Sequence, residues 1–182
     1  ADYRRLRAVP EKGQKFAIIG GGFIGAEIAA SLASIGKNVV MIFPGKGIGG
    51  RIFPEALSQF ISSYYEQKSV ELVRGEKITG LTTRGTQHVL KTAANREIVV
   101  DGVVAGVGIE PNVELAQSIG LEVENGIIVD EFLRTSLRDI YAAGDAAAFY
   151  NPSLAKRMRV EHEDNANAMG LLAGGNMAGG SE

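Results

Sequence analysis

The sequence predicts an α/β fold that opens with a Rossmann-like βαβ unit on a parallel sheet, and three neighbouring segments carry this prediction. Residues 15–19 form a short apolar run that stops at glycines, as buried parallel strands do. Apolar residues then recur at the spacing of one helix face: Ile24, Ile28, Leu32 and Ile35. Gly36 follows, where the end of a helix favours glycine. Residues 38–43 (NVVMIF) form a second strand, so strand, helix and strand fall within about 30 residues.

The next residues extend this unit. Pro54 opens a second helix that ends near Tyr65. Its predicted inward side chains are Leu57, Phe60, Ile61 and Tyr64. Four later strands are predicted over residues 70–73, 78–83, 87–92 and 97–99, of which the last three form an antiparallel β-meander. Residues 103–107 return as a buried strand, so the meander serves as a crossover.

The pattern changes after residues 110–112, and part of a second α/β domain is expected there. Its predicted elements are a short helix over residues 113–119, strands over 126–129 and 140–142, and a last helix from about Asp164 to Met177. The strand over residues 140–142 runs directly into Gly144 and Asp145.

The composition excludes several function classes for this chain. Its 182 residues contain 19 Lys and Arg against 21 Asp and Glu, which disfavours general nucleic-acid binding. The chain has no cysteine, which excludes disulfides, thiolate zinc sites, iron–sulfur ligation and a cysteine nucleophile within it. No stretch approaches the roughly 20 apolar residues of a membrane helix, and residues 1–5 lack the apolar core of a signal peptide. The default expectation is a cytoplasmic location.

The glycine cluster at residues 20–25 indicates a dinucleotide-binding site. Residues 20–25 (GGGFIG) match the G-x-G-x-x-G pattern between a predicted strand and a predicted helix. Gly20 would make the tight turn, Gly22 would let a pyrophosphate approach the backbone, and Gly25 would let helix and strand pack closely. The helix N-terminus would then favour the phosphates. The alternative is a glycine-rich turn that binds nothing.

The end of the second strand departs from this pattern. An acidic residue that holds the adenosine ribose is expected about 20 residues after the glycines. That place holds Phe43, followed by Pro44, Gly45 and Lys46. Lys46 and Arg51 either face the 2′-phosphate of NADPH or are solvated loop charges. NADH is therefore preferred only slightly.

Two carboxylates are candidates for further contacts. Glu27 is predicted in the first turn of the first helix, where it either interacts with the helix dipole or contacts the nicotinamide end of the dinucleotide. Asp145 follows a predicted strand, at the carboxyl edge where open α/β sheets bind ligands. It either accepts hydrogen bonds from sugar or ribityl hydroxyls or caps a turn.

Four motifs together resemble a known family. They are GGGFIG at residues 20–25, GVGIEPN at 106–112, TSLRDIYAAGDAA at 135–147 and RVEHEDNANAMGLLAGGNMAG at 159–179. Over residues 12–180 the chain resembles the two-dinucleotide-binding-domain flavoprotein reductases: ferredoxin and rubredoxin reductases, monodehydroascorbate reductase and apoptosis-inducing factor. The last motif and the Phe43-Pro44 pair are most similar to the monodehydroascorbate reductase and apoptosis-inducing factor branch. That branch commonly has glutamate where this chain has Gly45.

The resemblance implies a domain order and cofactor contacts. Residues 1–14 would be a lead-in linker, 15–108 the NAD(P)H-binding domain and 109–182 the C-terminal part of the FAD-binding domain. The first FAD segment and a C-terminal domain would be absent, and FAD would bind only in the full-length protein. Gly108 and Glu27 would lie near the nicotinamide, Asp145 at the ribityl chain, and Glu161 and His162 near the flavin ring, with the last helix aimed at it. The predicted cofactor-binding residues are Gly20, Gly22, Phe23, Ile24, Gly25, Glu27, Phe43, Lys46, Gly108, Asp145, Glu161 and His162.

The activity implied is hydride transfer from NAD(P)H to FAD, followed by electron transfer to ferredoxin, rubredoxin, a quinone or a radical. This chemistry belongs to the cofactors, so no catalytic side chain and no metal ligand is predicted. The alternative is a non-catalytic, dinucleotide-binding redox-sensing module of apoptosis-inducing-factor type. A nucleic-acid role through the basic residues of 156–159 is disfavoured, because three loop cations are usually only solvated. An oligomer, and a mitochondrial or chloroplast location through an upstream transit peptide, stay open.

Overall fold

A computed structural model describes residues 13–180, in which the chain divides after Gly108 into two units. Residues 1–12 of the predicted lead-in lie outside the described range. The two units have separate sheets and separate cores. Among the helices described, none is long and apolar enough to cross a membrane.

The first unit is an α/β sandwich built on a parallel sheet. In chain order its elements are β1 (Lys15–Ile19), α1 (Phe23–Ser34), β2 (Asn38–Phe43), α2 (Glu55–Gln67), β3 (Val70–Arg74), β4 (Ile78–Arg84), β5 (Gln87–Thr92), β6 (Glu97–Val100) and β7 (Gly102–Ala105). The parallel sheet has the strand order β3-β2-β1-β7. β4, β5 and β6 form a separate antiparallel sheet, so the predicted parallel sheet and β-meander crossover are confirmed.

Successive side chains of the parallel strands point to opposite faces of the sheet, and both faces are covered. On β1, Phe16 and Ile18 point to the side where α1 and α2 pack, and they join a buried cluster with Met41 of β2. The intervening Ala17 lies in a second cluster with Leu90 of the meander. Strands buried on both faces need apolar side chains at every position, which is the origin of the continuous apolar runs.

The predicted inward faces of both helices are wrong in part. The buried residues of α1 are Gly25, Ala29 and Leu32, whereas Ile24 and Ile35 are exposed. Leu32 and the half-buried Ile28 do pack on the core as predicted, and Gly25 lets the start of the helix approach the backbone after β1.

The buried residues of α2 are Ser58 and Ser62, with Ile61 half-buried, whereas Leu57, Phe60 and Tyr64 are exposed. This helix packs on the backbone of a loop, whose N–H and carbonyl groups need hydrogen-bond partners. Hydroxyl groups meet that need and apolar side chains do not.

The second unit contains a small mixed sheet and a long helix. In chain order its elements are α3 (Glu114–Ser118), β8 (Val123–Glu124), β9 (Gly126–Ile128), a 3-10 turn (Gly144–Ala146), β10 (Ala147–Asn151), β11 (Lys156–Met158) and α4 (Glu163–Met177). The strand order is β11-β10-β9-β8, in which β9 and β10 are parallel. The core consists of Val129, Leu133, Ala147, Met169 and Ala173.

The predicted strands over residues 140–142 and 103–107 need correction. Tyr141 forms a single antiparallel bridge with Arg134 and no extended ladder, because residues 13–180 offer this segment no other strand neighbour. Asp145 therefore lies on the 3-10 turn before β10, not at the carboxyl end of a strand. β7 ends at Ala105, and Val107 is exposed.

Candidate functional site

The glycine turn between β1 and α1 depends on glycine for close packing. Gly20 has a φ of +115°, and a Cβ at this position would overlap the carbonyl oxygen of Gly106. A Cβ on Gly25 would overlap the carbonyl oxygen of Gly20. The Gly106 N–H donates to the Ile19 carbonyl at 2.7 Å. The first turn of α1 therefore packs directly on the backbone that follows β1 and β7.

Gly22 differs from these glycines because its side of the turn is open. A Cβ built there would meet no atom within 4 Å. The first hydrogen bond of α1 runs from the Ala26 N–H to the Gly22 carbonyl at 2.9 Å. The N–H groups of Phe23, Ile24 and Gly25 have no acceptor among residues 13–180, and the first turn has no acidic residue. This open, positive helix end fits a phosphate group.

Phe43 is the last residue of β2, and Lys46 lies three residues later on the loop that follows. The buried ring of Phe43 packs beneath Gly21, where a Cβ would stand 2.9 Å from the ring. Lys46 is exposed on the loop after β2, and no acidic residue within 13–180 pairs with it. Arg51 is likewise exposed. Phe43 thus packs against the glycine turn, and Lys46 offers an exposed cation at the carboxyl end of β2.

Glu27 is the fifth residue of α1, so its predicted place in the first turn is wrong. It lies at an apolar cavity of about 210 Å³ between α1 and α2. Phe23 and Phe53 line this cavity with ring centroids 5.7 Å apart in an edge-to-face arrangement. The Tyr65 hydroxyl donates to the Ala26 carbonyl at 3.0 Å. Burial first, and then the negative charge of Glu27, raise the pKa of Tyr65 above its usual value.

Gly108 lies three residues after the end of β7 and is the last residue of the first unit. It has a φ of +123°, is exposed, and has no atom within 4 Å of a Cβ position. The glycine turn, the loop carrying Lys46 and the segment up to Gly108 follow β1, β2 and β7 respectively. The glycine turn, Lys46 and Gly108 therefore share the carboxyl edge of the parallel sheet, where such sheets bind ligands, whereas Glu27 lies at the cavity between α1 and α2.

In the second unit, a buried arginine joins two predicted flavin contacts. The Arg159 side chain is only 8% exposed. It donates to the Asn125 side-chain oxygen at 3.3 Å, to the Asp145 carbonyl and to the Glu161 carboxylate at 2.8 Å. Gly126 makes room for it, because a Cβ there would overlap the Arg159 alkyl chain. The Asp145 carboxylate itself is exposed and has no partner among the residues described.

The sequence patterns do not predict a role for Arg159, which appears in them only as one cation of a basic run and as the first residue of the last motif. Its guanidinium instead bonds inward, and that of Arg157 donates to the carbonyls of Val129 and Ala148 at 3.1 and 2.9 Å. Since two of the three cations in the run have internal acceptors, the run is a weak candidate for nucleic-acid binding. The available signal was the glutamate two residues after Arg159.

His162 caps the N-terminus of α4. Its Nδ1 accepts a hydrogen bond from the Asp164 N–H at 3.2 Å. The first turn of this helix carries Glu163 and Asp164. These carboxylates already lie where the helix dipole favours negative charge, in contrast to the uncapped start of α1.

Comparisons with known proteins match most of the chain. The profile of the pyridine nucleotide-disulphide oxidoreductase family matches residues 1–170. The ferredoxin–NAD(+) reductase component of an anthranilate 1,2-dioxygenase system of Burkholderia cepacia is 34% identical over 182 residues, 100% of this chain and 45% of that protein. Monodehydroascorbate reductase 3 of Arabidopsis thaliana is 38% identical over 154 residues, 84% of this chain and 35% of that protein.

The crystal structure of a ferredoxin reductase from Rhodopseudomonas palustris is similar with a TM-score of 0.90 and 29% identity, over 98% of this chain and 45% of that one. This chain thus spans less than half the length of each of these relatives. The similarities cover both units, and the chain belongs to the pyridine nucleotide-disulphide oxidoreductase family.

Proposed function

We propose that residues 15–108 are the NAD(P)H-binding domain, and residues 109–182 the C-terminal part of the FAD-binding domain, of a flavin-dependent oxidoreductase. The open face of Gly22, beside three N–H groups that have no acceptor among the described residues, carries this proposal. Membership of the family supports it, as do relatives named as reductases. Those names favour an oxidoreductase over a non-catalytic redox-sensing module.

The pyrophosphate of the dinucleotide would accept hydrogen bonds from the N–H groups of Phe23, Ile24 and Gly25. These groups have no acceptor within residues 13–180, so the ligand would supply one. The helix dipole adds a favourable interaction of about 0.3–1 kcal/mol with the negative charge. Gly20 and Gly25 would contribute indirectly, through the close packing that fixes the start of α1.

The two ends of the dinucleotide would lie over different strands. Lys46 and the backbone above Phe43 would face the adenosine end, at the carboxyl end of β2. Ile24, Glu27 and Gly108 would lie toward the nicotinamide, with Phe23 at the lip of the apolar cavity. Gly108 suits this role because nothing stands within 4 Å of its missing side chain.

In the second unit, the exposed Asp145 carboxylate would accept hydrogen bonds from the ribityl hydroxyls of FAD, and Glu161 and His162 would lie near its ring system. Arg159 would keep the Asp145 turn and Glu161 together. When bound, the two cofactors supply the hydride and electron transfer chemistry, and this chain supplies binding, orientation and electrostatics. The acceptor would be of the classes implied by the resemblance: ferredoxin, rubredoxin, a quinone or a radical.

We propose a slight preference for NADH over NADPH. One relative is named as a ferredoxin–NAD(+) reductase component, which supports NADH. Lys46 and Arg51 are the cations that would face a 2′-phosphate if NADPH bound better.

A titration of this chain with NADH and NADPH tests the proposal through the fluorescence of the reduced nicotinamide. We expect saturable binding of NADH and weaker binding of NADPH. Gly22→Val should abolish binding because its side chain fills the space left for the pyrophosphate. The Gly22 backbone, at φ −85° and ψ −170°, accepts valine without strain.

Gly170→Val is the matched control. Gly170 lies in α4, and its Cβ position is as open as that of Gly22. This variant should bind NADH like the unaltered chain. Equal affinity of the Gly22→Val and Gly170→Val variants would show that the glycine turn is not the binding site.

A further inference from the structure

The loop after β2, residues 44–50, is unusually well anchored for a loop rich in glycine. It carries the exposed Lys46, yet the next three residues, Gly47, Ile48 and Gly49, are buried. Loops of this composition are normally mobile because glycine restricts the backbone least. The anchoring therefore needs a specific cause.

Two serines of α2 supply that cause. The Ile48 N–H donates to the Ser62 hydroxyl at 2.9 Å, and the Ile48 carbonyl accepts from the Ser58 hydroxyl at 2.7 Å. The Ser62 hydroxyl in turn donates to the Ser58 carbonyl at 2.7 Å. Both serines are buried, at 4% and 2% exposure. Both backbone groups of Ile48 are thus satisfied by side chains of one helix, as a neighbouring strand would satisfy them.

Space around the serines admits only glycine at position 47. A Cβ there would stand 2.6 Å from the Ser58 hydroxyl oxygen and 2.9 Å from that of Ser62. The loop is also tied on both sides of this point. The Gly49 N–H donates to the Gly21 carbonyl at 2.7 Å, and the Gly75 N–H donates to the Gly45 carbonyl at 3.2 Å.

The bond from Gly49 to Gly21 connects the serines to the glycine turn. Gly21 immediately precedes Gly22, the residue whose open side faces the proposed pyrophosphate. We propose that Ser58 and Ser62 are positioning residues for the dinucleotide: they hold the 44–50 loop against the glycine turn as a preformed wall for its adenosine diphosphate half. This inference rests on the proposed function. A preformed wall raises affinity because less of the protein must become ordered on binding.

Neighbouring serines of α2 allow a matched test. Ser62→Ala leaves the Ile48 N–H buried without an acceptor, whereas Ser63→Ala alters an exposed serine one residue later. The dissociation constants of the unaltered chain and both variants are measured for NADH and for ADP-ribose by titration calorimetry. The temperature is kept well below each melting transition. ADP-ribose is NADH without its nicotinamide ring, so it reports on binding that does not involve that ring.

We expect Ser62→Ala to weaken NADH and ADP-ribose by a similar factor of about ten, and Ser63→Ala to change neither. Amide hydrogen exchange at Gly49 should also accelerate in Ser62→Ala, because its bond to Gly21 opens. If Ser62→Ala does not fold, Ser58→Ala keeps the bond to the Ile48 N–H and carries the same test.

A lower melting temperature with unchanged dissociation constants would overturn the inference, since the serines would then be structural only. That result leaves the proposed function intact. Absence of NADH and ADP-ribose binding by the unaltered chain would instead overturn the dinucleotide site itself, and this inference with it.

Discussion

Arg159→Met tests whether the buried guanidinium holds the second unit together. Methionine retains the alkyl contact over Gly126 and removes all three hydrogen bonds. The bond to Glu161 joins two charged groups, and loss of such a bond costs about 1.5–3 kcal/mol when the partners are shielded from water. The Arg159 side chain is 8% exposed and that of Glu161 is 43% exposed. In the variant, water can therefore replace the guanidinium only as a partner of the Glu161 carboxylate. We therefore expect a loss of about 2–3 kcal/mol.

Thermal unfolding followed by circular dichroism measures this loss. For a chain of this size, 1 kcal/mol corresponds to about 2–4 °C, so the melting temperature of Arg159→Met should fall by about 4–12 °C. Arg138→Met is the control, because its ion pair with Asp139 is 94% and 85% exposed. Exposed pairs contribute little, so this variant should melt within about 2 °C of the unaltered chain. Equal melting temperatures of the two variants would refute the assigned role of Arg159.

Two further predictions concern the first unit. Gly25→Ala should destabilise the chain by about 1–3 kcal/mol, since the new methyl group overlaps the Gly20 carbonyl. The control is Gly170→Ala, at an open helical position of the second unit, which should stabilise the chain by about 0.5–1 kcal/mol. A similar gain in stability from Gly25→Ala would contradict the close packing at that position. A hydrogen bond from the Gln87 side chain, and then two backbone N–H groups, lower the pKa of Asp101 to about 2. Because the folded-state pKa lies below the unfolded one, the stabilisation by Asp101 is complete above about pH 4 and is lost as the pH falls toward 2. Asp101→Asn should flatten the stability profile in that window, and an unchanged profile would contradict this assignment.

Two strands of the first unit, β1 and β2, were predictable from sequence because both of their faces are buried. Strands buried on both faces are apolar at every position, so β1 and β2 have the predicted bounds. The glycine turn was predictable for a related reason. Its residue type is fixed by backbone overlap at Gly20 and Gly25, and such constraints appear directly in a sequence.

The helix faces were less predictable because polar residues can be the buried ones. A pattern of apolar residues places Leu57 and Phe60 inward, but the helix packs through Ser58 and Ser62 because the 44–50 loop needs hydrogen-bond partners. That need arises only when helix and loop meet in three dimensions. Local spacing contains no signal for it.

The predicted strand over residues 140–142 failed for a different reason. A strand is defined by its neighbour, and Tyr141 has only Arg134 opposite it. Arg159 was missed because its acceptors come from three distant segments, at Asn125, Asp145 and Glu161. Contacts of this kind follow from topology and not from periodicity.

The most direct test of the central claim is a nitrogen-15 NMR titration of this chain with NADH, in which the backbone amides are followed individually. The dinucleotide should shift the amide resonances of Phe23, Ile24 and Gly25 more than any others, because these are the N–H groups that gain an acceptor. Saturable NADH binding with these three resonances unmoved would contradict the assignment of the α1 N-terminus as the pyrophosphate site.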